Sequence, residues 1–191
     1  QMLPGFGFSS DRSTWAKIKA FPENLELEVA ATYASSGRMS LDTVADSRAA
    51  TINVHYSISK LQSTGYTPRM ADDRVGYFMT VLKDYSKKSD RDQFVRYINR
   101  WNLQKPPGAT DAPFQPKKPI IFYIEKTVPH TYRSAIRSGI EEWNKAFESA
   151  GWVNAIEVRQ QLDGDDWDPE DIRYNTFRWI PTSAMFSAIG P

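Results

Sequence analysis

The 191-residue chain carries 24 basic and 23 acidic residues, which leaves a net charge of +1 at pH 7. This balance gives no general attraction to nucleic acid, and we expect no nucleic-acid partner. The absence of cysteine excludes disulfides and thiolate metal sites, and no apolar run approaches the ~20 residues of a membrane span. The length suffices for one domain or for two small ones with a hydrophobic core.

The amino-terminal segment is predicted to form a short helix after a loosely held lead-in. Ser10 or Asp11 is a suitable cap for a helix over residues 12–20. In that helix Trp15 and Ile18 would point toward the core. No charged and apolar leader precedes it, so we expect no targeting signal in this sequence.

The next part of the chain is predicted to be rich in antiparallel strands. Apolar and polar residues alternate over 25–33 and 50–58, which is typical of half-buried strands, and a third strand is expected within 74–85. These three strands would form one sheet with one face open to water. Residues 89–105 fit a helix or a strand almost equally, and we favour a helical turn followed by a strand over 96–103.

A proline-rich stretch follows and gives the clearest boundary in the chain. Five prolines between Pro106 and Pro119 exclude both a helix and a central strand. We therefore divide the chain into a β-rich leading domain at 1–105, a linker or surface strap at 106–118, and a second domain at 119–191. Phe114 favours the strap over the linker.

The second domain is predicted to be a strand, helix, strand, strand unit. Apolar residues recur at three- and four-residue steps over about 129–150, which indicates one long amphipathic helix, with Gly139 on its apolar side and a Glu141–Lys145 pair outside. Strand-like segments at 119–125, 155–160 and 174–180 flank it. The predicted fold class is therefore α+β, with an antiparallel leading region and a twisted mixed sheet backed by the helix.

Acidic residues cluster between 163 and 171, where two interpretations stay open. The cluster does not have the spacing of the twelve-residue helix-loop-helix calcium site, which needs Gly at its sixth position and Glu at its twelfth. It is either a calcium loop of another kind or a solvated acidic turn.

No complete catalytic site is evident in the sequence. The two histidines, His55 and His130, lie 75 positions apart, whereas a protein zinc site needs three or four ligands. We predict no catalytic or metal-binding residue, and neither a nucleophile elbow nor a glycine-rich phosphate loop is present. Six Trp, nine Tyr and ten Phe could form a sugar-binding platform, but their phases favour the core.

Specific segments of the sequence resemble a known family. The segments KKPIIFYIEKTVPHTYRSAIRSGIEEWNKAFESAGWVNAIEV and DWDPEDIRYNTFRWIP resemble the entry into the catalytic domain of bacterial zinc-dependent metalloproteases of metzincin type. Upstream, AFPENLELEVAATY, INVHYSISKL, PRMADDRVGYF and YINRWNLQK resemble the domain of unknown function that precedes that catalytic domain. Together these segments span most of the chain from about Phe21 onward.

The resemblance implies the fold, the cofactor and the location of the parent protein. It implies an upper subdomain with a helix-backed sheet, and a substrate peptide that binds antiparallel to an edge strand at about 182–190. The expected substrate-binding residues are Ser183, Ala184, Met185, Phe186, Ser187 and Ala188. Zinc is implied for the intact protein and a secreted or periplasmic location with it, but the sequence stops at Pro191 before any His-Glu-x-x-His.

Two functions from different classes follow. In the first, the chain is the amino-terminal fragment of a metalloendopeptidase, inactive alone, whose partners are the missing zinc-binding half and a peptide or protein substrate. In the second, it is a non-catalytic secreted binding or inhibitory module that keeps a protease-like sheet. A carbohydrate-binding β domain is a third and weaker alternative.

Overall fold

The computed structural model describes most of the chain, namely residues 5–35, 37, 45–63, 65–86 and 93–181. These residues form an α+β fold with antiparallel and parallel sheets and helices that back the parallel one. The predicted fold class is therefore confirmed. None of the helices in the described part is long and apolar enough to cross a membrane.

The chain divides into two compact units that are not contiguous in sequence. One unit contains Gln1–Leu61 and Asp166–Tyr174, and the other contains Gln62–Asp165 and Asn175–Pro191. The first unit thus includes the short segment 166–174, which lies in the sequence between two parts of the second unit. The division at 105/106 and 118/119 stays a prediction.

The first unit is built on a four-stranded antiparallel sheet. Its strands are β1 (Gly7–Phe8), β2 (Thr14–Ala20), β3 (Asn24–Ala34) and β4 (Ala49–Ser59). Strand β3 is central, with β1 and β2 along one edge and β4 along the other. The strands expected at 25–33 and 50–58 are therefore confirmed.

The helix predicted over residues 12–20 is wrong. A single 3-10 turn spans Ser10–Arg12, and residues 14–20 form β2 instead. The Lys17 and Lys19 side chains alternate with apolar residues and face carboxylates, while the backbone pairs with β3. Tertiary partners of the lysines and of the backbone override a weak helical pattern.

Part of this sheet is covered in the opposite sense to the expectation. Register places Ile18, Leu27 and Tyr56 on one face, where Ile18 is 60% exposed and Tyr56 50%. On the other face Asn24 and Glu26 are each only 6% exposed. The polar face is therefore covered around Asn24 and Glu26, because the segment 166–174 lies against it there. Farther along the sheet, Ala31 and Val54 of the apolar face are buried.

The second unit contains a separate two-stranded antiparallel sheet. It pairs β5 (Met79–Lys83) with β6 (Phe94–Ile98). The strand expected within 74–85 therefore exists, but among the described residues it pairs with β6 and not with β4. Strand β6 begins before the predicted 96–103, and residues 87–92 lie outside the described ones.

Helix and strand order in the rest of this unit follows the prediction. The elements are β7 (Ile120–Ile124), α1 (His130–Glu141), α2 (Asn144–Ser149), β8 (Ile156–Gln160) and β9 (Asn175–Phe177). Both described pairings are parallel, with β7 between β8 and β9. Glu142 and Trp143 between the helical segments keep right-handed helical backbone angles, so the two segments continue one another.

The core of the second unit lies between β7, β8 and the helices. Ile120, Ile124, Val128, Ile156 and Val158 form its buried centre, and Ile136, Ile140 and Phe147 of the helices pack against it. The apolar stripe of the helix thus covers one face of the parallel sheet.

The ion pair predicted on the outer face of the helix is wrong. Glu141 pairs with Arg137, and Lys145 pairs with Glu142 instead of Glu141. A Cβ atom added at Gly139 would meet nothing within 4 Å, so no close approach of the helix to the sheet requires this glycine.

The proline-rich stretch at 106–118 contains no helix and no extended strand. Its Phe114 forms an isolated bridge with Trp152, in which the Phe114 N–H donates to Gly151 O at 2.7 Å and the Val153 N–H donates to Phe114 O at 2.9 Å. The two rings also touch, with centroids 5.8 Å apart. These contacts fix the middle of the stretch within its unit.

Candidate functional site

The predicted substrate-binding residues all belong to the end of the chain, beyond the last described residue. Ser183, Ala184, Met185, Phe186, Ser187 and Ala188, with the edge strand expected at about 182–190, lie outside the described residues. The structure describes the sheet beside which that edge strand was expected. Strand β9 of this sheet precedes the expected edge strand in the sequence.

The carboxyl ends of β7 and β9 are tied together by a buried acid. The Glu125 backbone N–H donates to Phe177 O at 3.0 Å, and its carboxylate accepts bonds from Arg178 Nε at 3.2 Å and from Thr127 Oγ1 at 2.9 Å. Glu125 is 6% exposed. Arg178 directly follows β9. Its bond to Glu125 therefore fixes the direction in which the chain leaves that strand.

Two aromatic rings lie exposed beyond this end of the sheet. Tyr132 of α1 and Trp179 stack with centroids 5.2 Å apart and ring planes 9° from parallel. About half of each side chain stays accessible, 49% for Tyr132 and 43% for Trp179. The stack holds the segment after β9 against the helix, and its accessible half presents apolar surface close in sequence to residue 181, the last described one.

A buried carboxylate lies at the centre of the covered face in the first unit. Glu26 accepts hydrogen bonds from Asn24 Nδ2 at 2.6 Å and from Ser57 Oγ at 2.7 Å, and its other oxygen lies 2.5 Å from His55 Nε2. Burial alone would raise the pKa of Glu26, but the bonds from His55, Ser57 and Asn24 outweigh it and lower that pKa. Glu26 is therefore an ionised, fully bonded acid that organises its neighbours.

Lysines of β2 hold the segment 166–174 on the same face. Lys17 Nζ lies 2.8 Å from Glu170 Oε1, and Lys19 Nζ bonds to Asp168 and lies 2.8 Å from Glu170 Oε2. The latter contact is an ion pair without an aligned hydrogen bond. Asn24 adds backbone contacts, donating to Glu170 O at 2.8 Å and accepting from the Ile172 N–H at 3.1 Å.

These ion pairs shift the protonation of the groups that form them. Burial opposes the charged form of each group, yet the bonds from Lys19 lower the pKa of Asp168, and those from Lys17 and Lys19 lower the pKa of Glu170. The pKa of Lys19 is raised in turn, since its bonds to the two acids exceed the effect of its own burial. All three groups are thus held in their charged forms.

The acidic cluster at 163–171 is largely engaged by protein partners. Besides Asp168 and Glu170, Asp171 pairs with Arg173 at 2.6 Å, and Asp165 accepts the Leu162 N–H at 2.8 Å. No group of three or more metal-ligating side chains occurs among the described residues. The open calcium alternative therefore gains no support from this geometry.

Neither histidine lies in a metal-like environment. His55 contacts a single carboxylate, that of Glu26, and His130 is the exposed first residue of α1. The expectation that most aromatic rings lie in the core is wrong, since Trp15 is 60% exposed and Phe78 and Trp143 are each 64% exposed. These exposed rings are dispersed over several elements.

Sequence reasoning missed the polar network around Glu26, Lys17 and Lys19. The signal was present in the alternation of both lysines along β2 and of Glu26 and Glu28 along β3. Two strands with opposite charges at alternate positions can pair those charges across the sheet. No local pattern in the sequence predicted that Lys17 and Lys19 would pair with acids of the segment 166–174.

Comparisons with known proteins assign only the first part of the chain. A family model described as "Domain of unknown function (DUF5117)" matches residues 2–106, which is more than half of the 191 residues. No curated protein and no solved structure matches the chain.

Proposed function

The chain belongs to the family described as a domain of unknown function, DUF5117, and we propose that it forms the amino-terminal part of a zinc-dependent metalloendopeptidase of metzincin type. In this proposal the DUF5117 region precedes the upper half of a catalytic domain. The parent protein hydrolyses peptide bonds, and its location is secreted or periplasmic.

The observation that carries the proposal is the arrangement of the second unit. Strand β7 leads into the helix pair α1–α2 and then into β8, and β9 joins the opposite edge of β7. A sheet backed by one long helix is what the resemblance of residues 117–158 and 166–181 implies.

The residues of this chain do not fit a zinc ion by themselves. The described part contains no group of potential ligands, and the sequence has no His-Glu-x-x-His. When bound in the intact protein, zinc would activate a water molecule for attack on the peptide carbonyl. Its ligands and the general base belong, in this proposal, to the missing zinc-binding half.

The contribution of this chain is substrate positioning. The edge strand at about 182–190, with Ser183, Ala184, Met185, Phe186, Ser187 and Ala188, would pair with an extended substrate through backbone hydrogen bonds. Upstream, the Glu125–Arg178 pair and the Tyr132–Trp179 stack fix the path by which the chain approaches that strand.

The first test compares this chain with the longest natural chain that contains it. Zinc content and peptide hydrolysis are measured on both, and we expect stoichiometric zinc and hydrolysis in the longer chain alone. Stoichiometric zinc in the 191 residues would contradict the assignment of His55 and His130 as non-ligands. Absence of zinc and hydrolysis from the longer chain would favour the non-catalytic binding or inhibitory module.

A second test addresses the edge strand in the longer chain. Met185→Pro removes a backbone N–H, and we expect it to lower kcat/KM by about tenfold or more while zinc content is unchanged. The matched control Met185→Ala keeps the N–H and should retain most of the activity. An equal loss in both variants would contradict a backbone role for this strand.

A further inference from the structure

Two adjoining cavities form a groove on the second unit. One has a volume of about 540 Å³ and is lined by Tyr66 and Arg100, among others. The other has a volume of about 290 Å³ and is lined by Gln104, Lys117 and Lys118. Asn102 lines both cavities, so they adjoin at this residue. We call this surface the basic groove and define it by the six residues Tyr66, Arg100, Asn102, Gln104, Lys117 and Lys118.

The basic groove carries only positive charge. The residues that line the two cavities include Arg100, Lys117 and Lys118 and no carboxylate. The described segment 93–118 has five basic residues and one acid, Asp111, although the whole chain is almost neutral. A local excess of positive charge in a concave surface raises the local concentration of anions.

The cations of the groove are available to a ligand. None of the three forms an ion pair with a carboxylate of the described residues, and all three side chains are exposed. Many other basic side chains of the chain are paired, as in Lys17–Glu170, Arg74–Asp72 and Arg159–Glu157. The contrast indicates that the groove cations are not needed to neutralise acids of their own unit.

Backbone and ring contacts position the segments that carry these cations. The Lys117 N–H donates to Gln104 O at 3.0 Å, which fixes the end of the proline-rich stretch beside the segment after β6. Arg100 donates to Thr67 O at 3.2 Å, and its guanidinium lies over the Tyr66 ring at 5.3 Å. Trp101 packs edge-on against Phe122 of β7, with centroids 5.9 Å apart. The Lys117–Gln104 bond and the Arg100 contacts thus join the segments that line the groove.

The chemistry of the lining fits a polyanion that also carries hydroxyl groups and sugar rings. The side-chain amides of Asn102 and Gln104 line the groove together with the three cations, and Tyr66 and Tyr97 supply aromatic carbon. Amides bind hydroxyl groups, cations bind carboxylate or sulfate, and rings pack against the C–H faces of sugars. We propose that the basic groove binds an anionic polysaccharide that carries carboxylate or sulfate groups. This site is separate from the proposed protease function and does not depend on it.

Affinity measurements on the 191-residue chain test the site with heparin as the probe and uncharged dextran as its control. We expect heparin to bind and dextran not to bind, and the affinity for heparin to fall about tenfold or more between about 50 and 200 mM salt. Lys117→Gln/Lys118→Gln and Arg100→Gln should each weaken binding by about fivefold or more.

The matched control is Lys83→Gln/Lys126→Gln, which removes two described lysines that do not line the groove. It should leave the affinity within about twofold of the parent chain. Circular dichroism establishes that each variant is folded, and the exposed lysine pair tests the site even if Arg100→Gln is unstable.

Three results would overturn the proposal. One is no binding of heparin at low salt, and another is an equal loss of affinity in the control pair, which would indicate a general charge effect. The third is tighter binding of polyglutamate or of single-stranded DNA through the same residues, which would assign the groove to another class of polyanion.

Discussion

At the scale of single residues, Glu26 is a tightly constrained side chain of the first unit. It is 6% exposed, and three side chains bond its carboxylate at 2.5–2.7 Å. A buried acid with that many partners contributes stability only while every partner is present. Its neighbour Glu28 is half-buried on the same face, and its side chain has no hydrogen bond to the described residues.

We predict that Glu26→Gln lowers the free energy of unfolding by about 1–3 kcal/mol. The substitution keeps the shape of the side chain, but it places an NH₂ group where a carboxylate oxygen accepts bonds from its neighbours. Urea unfolding followed by tryptophan fluorescence measures the change. Glu28→Gln is the control and should change stability by less than about 0.5 kcal/mol. Similar losses in both variants would show that the network around Glu26 does not stabilise the fold.

At the scale of elements, the segment 166–174 packs against a sheet whose strands lie far away in the sequence. Lys17 and Lys19 of β2 bind its acids, and Asn24 of β3 binds its backbone on both sides. Trp167 and Tyr174 stack at the ends of the segment, with centroids 4.6 Å apart. These contacts explain why the connection between β8 and β9 is ordered although it contains neither helix nor strand.

We predict that Lys19→Met loosens this segment selectively. The ammonium group is lost, so Asp168 and Glu170 keep their negative charges with one cation fewer. Hydrogen exchange of the amides in 166–174 should accelerate about fivefold to tenfold, since partly exposed ion pairs contribute about 1 kcal/mol.

Exchange in β7 and β8 serves as the internal reference and should stay unchanged. The matched variant is Lys60→Met, because Lys60 is 70% exposed and lies 3.9 Å from Glu23. It should leave exchange in 166–174 unaltered. Uniform acceleration over the whole chain after Lys19→Met would mean that the lysine supports global stability instead of this one attachment.

At the scale of the whole molecule, ionised carboxylates are favoured throughout the described part of the chain. Every carboxyl group with a resolved shift has its pKa lowered, and these groups are Asp11, Glu26, Asp46, Asp72, Glu157, Asp168, Glu170 and Asp171. The pKa of Asp46 and of Asp72 is about 2, but both are exposed and paired with an arginine two residues away. Such local pairs form in the unfolded chain as well and contribute little to folding.

The direction of these shifts determines how stability depends on pH. A carboxyl group with a lower pKa in the folded state stabilises it above the unfolded pKa, about 4 for Asp and Glu, and loses that contribution as the pH falls through the folded pKa. We predict an unfolding free energy that is nearly constant between about pH 5 and 8 and falls below about pH 4. Lys19 acts in the opposite direction, and its contribution is lost only above about pH 10.

Urea unfolding at a series of pH values measures this dependence. The double variant Asp168→Asn/Glu170→Gln should reduce the fall of the unfolding free energy below about pH 4, which we call the acid limb. It removes two of the groups that bind protons on unfolding. The control Asp163→Asn alters an exposed acid without an ion pair to the described residues and should leave the limb unchanged. An unchanged limb in the double variant would show that these ion pairs do not link folding to pH.

The sequence by itself determined the elements whose signal is local. The alternation along β3 and β4 predicted both strands, because a period of two residues places one set of side chains on each face. The recurrence of apolar residues at three- and four-residue steps over 129–150 predicted the backing helix, because that period places them on one face of a helix. Gly151 ends the helix with a φ of 86°. These patterns depend only on neighbours along the chain.

Only the tertiary structure decided the roles of β2, of the sheet faces and of the segment 166–174. Residues 14–20 became a strand because β3 offers backbone partners and distant acids neutralise Lys17 and Lys19. The basic groove likewise joins Arg100 to lysines of the proline-rich stretch through a bond between Lys117 and Gln104. Such pairings follow from chain folding over long separations, and no local period encodes them.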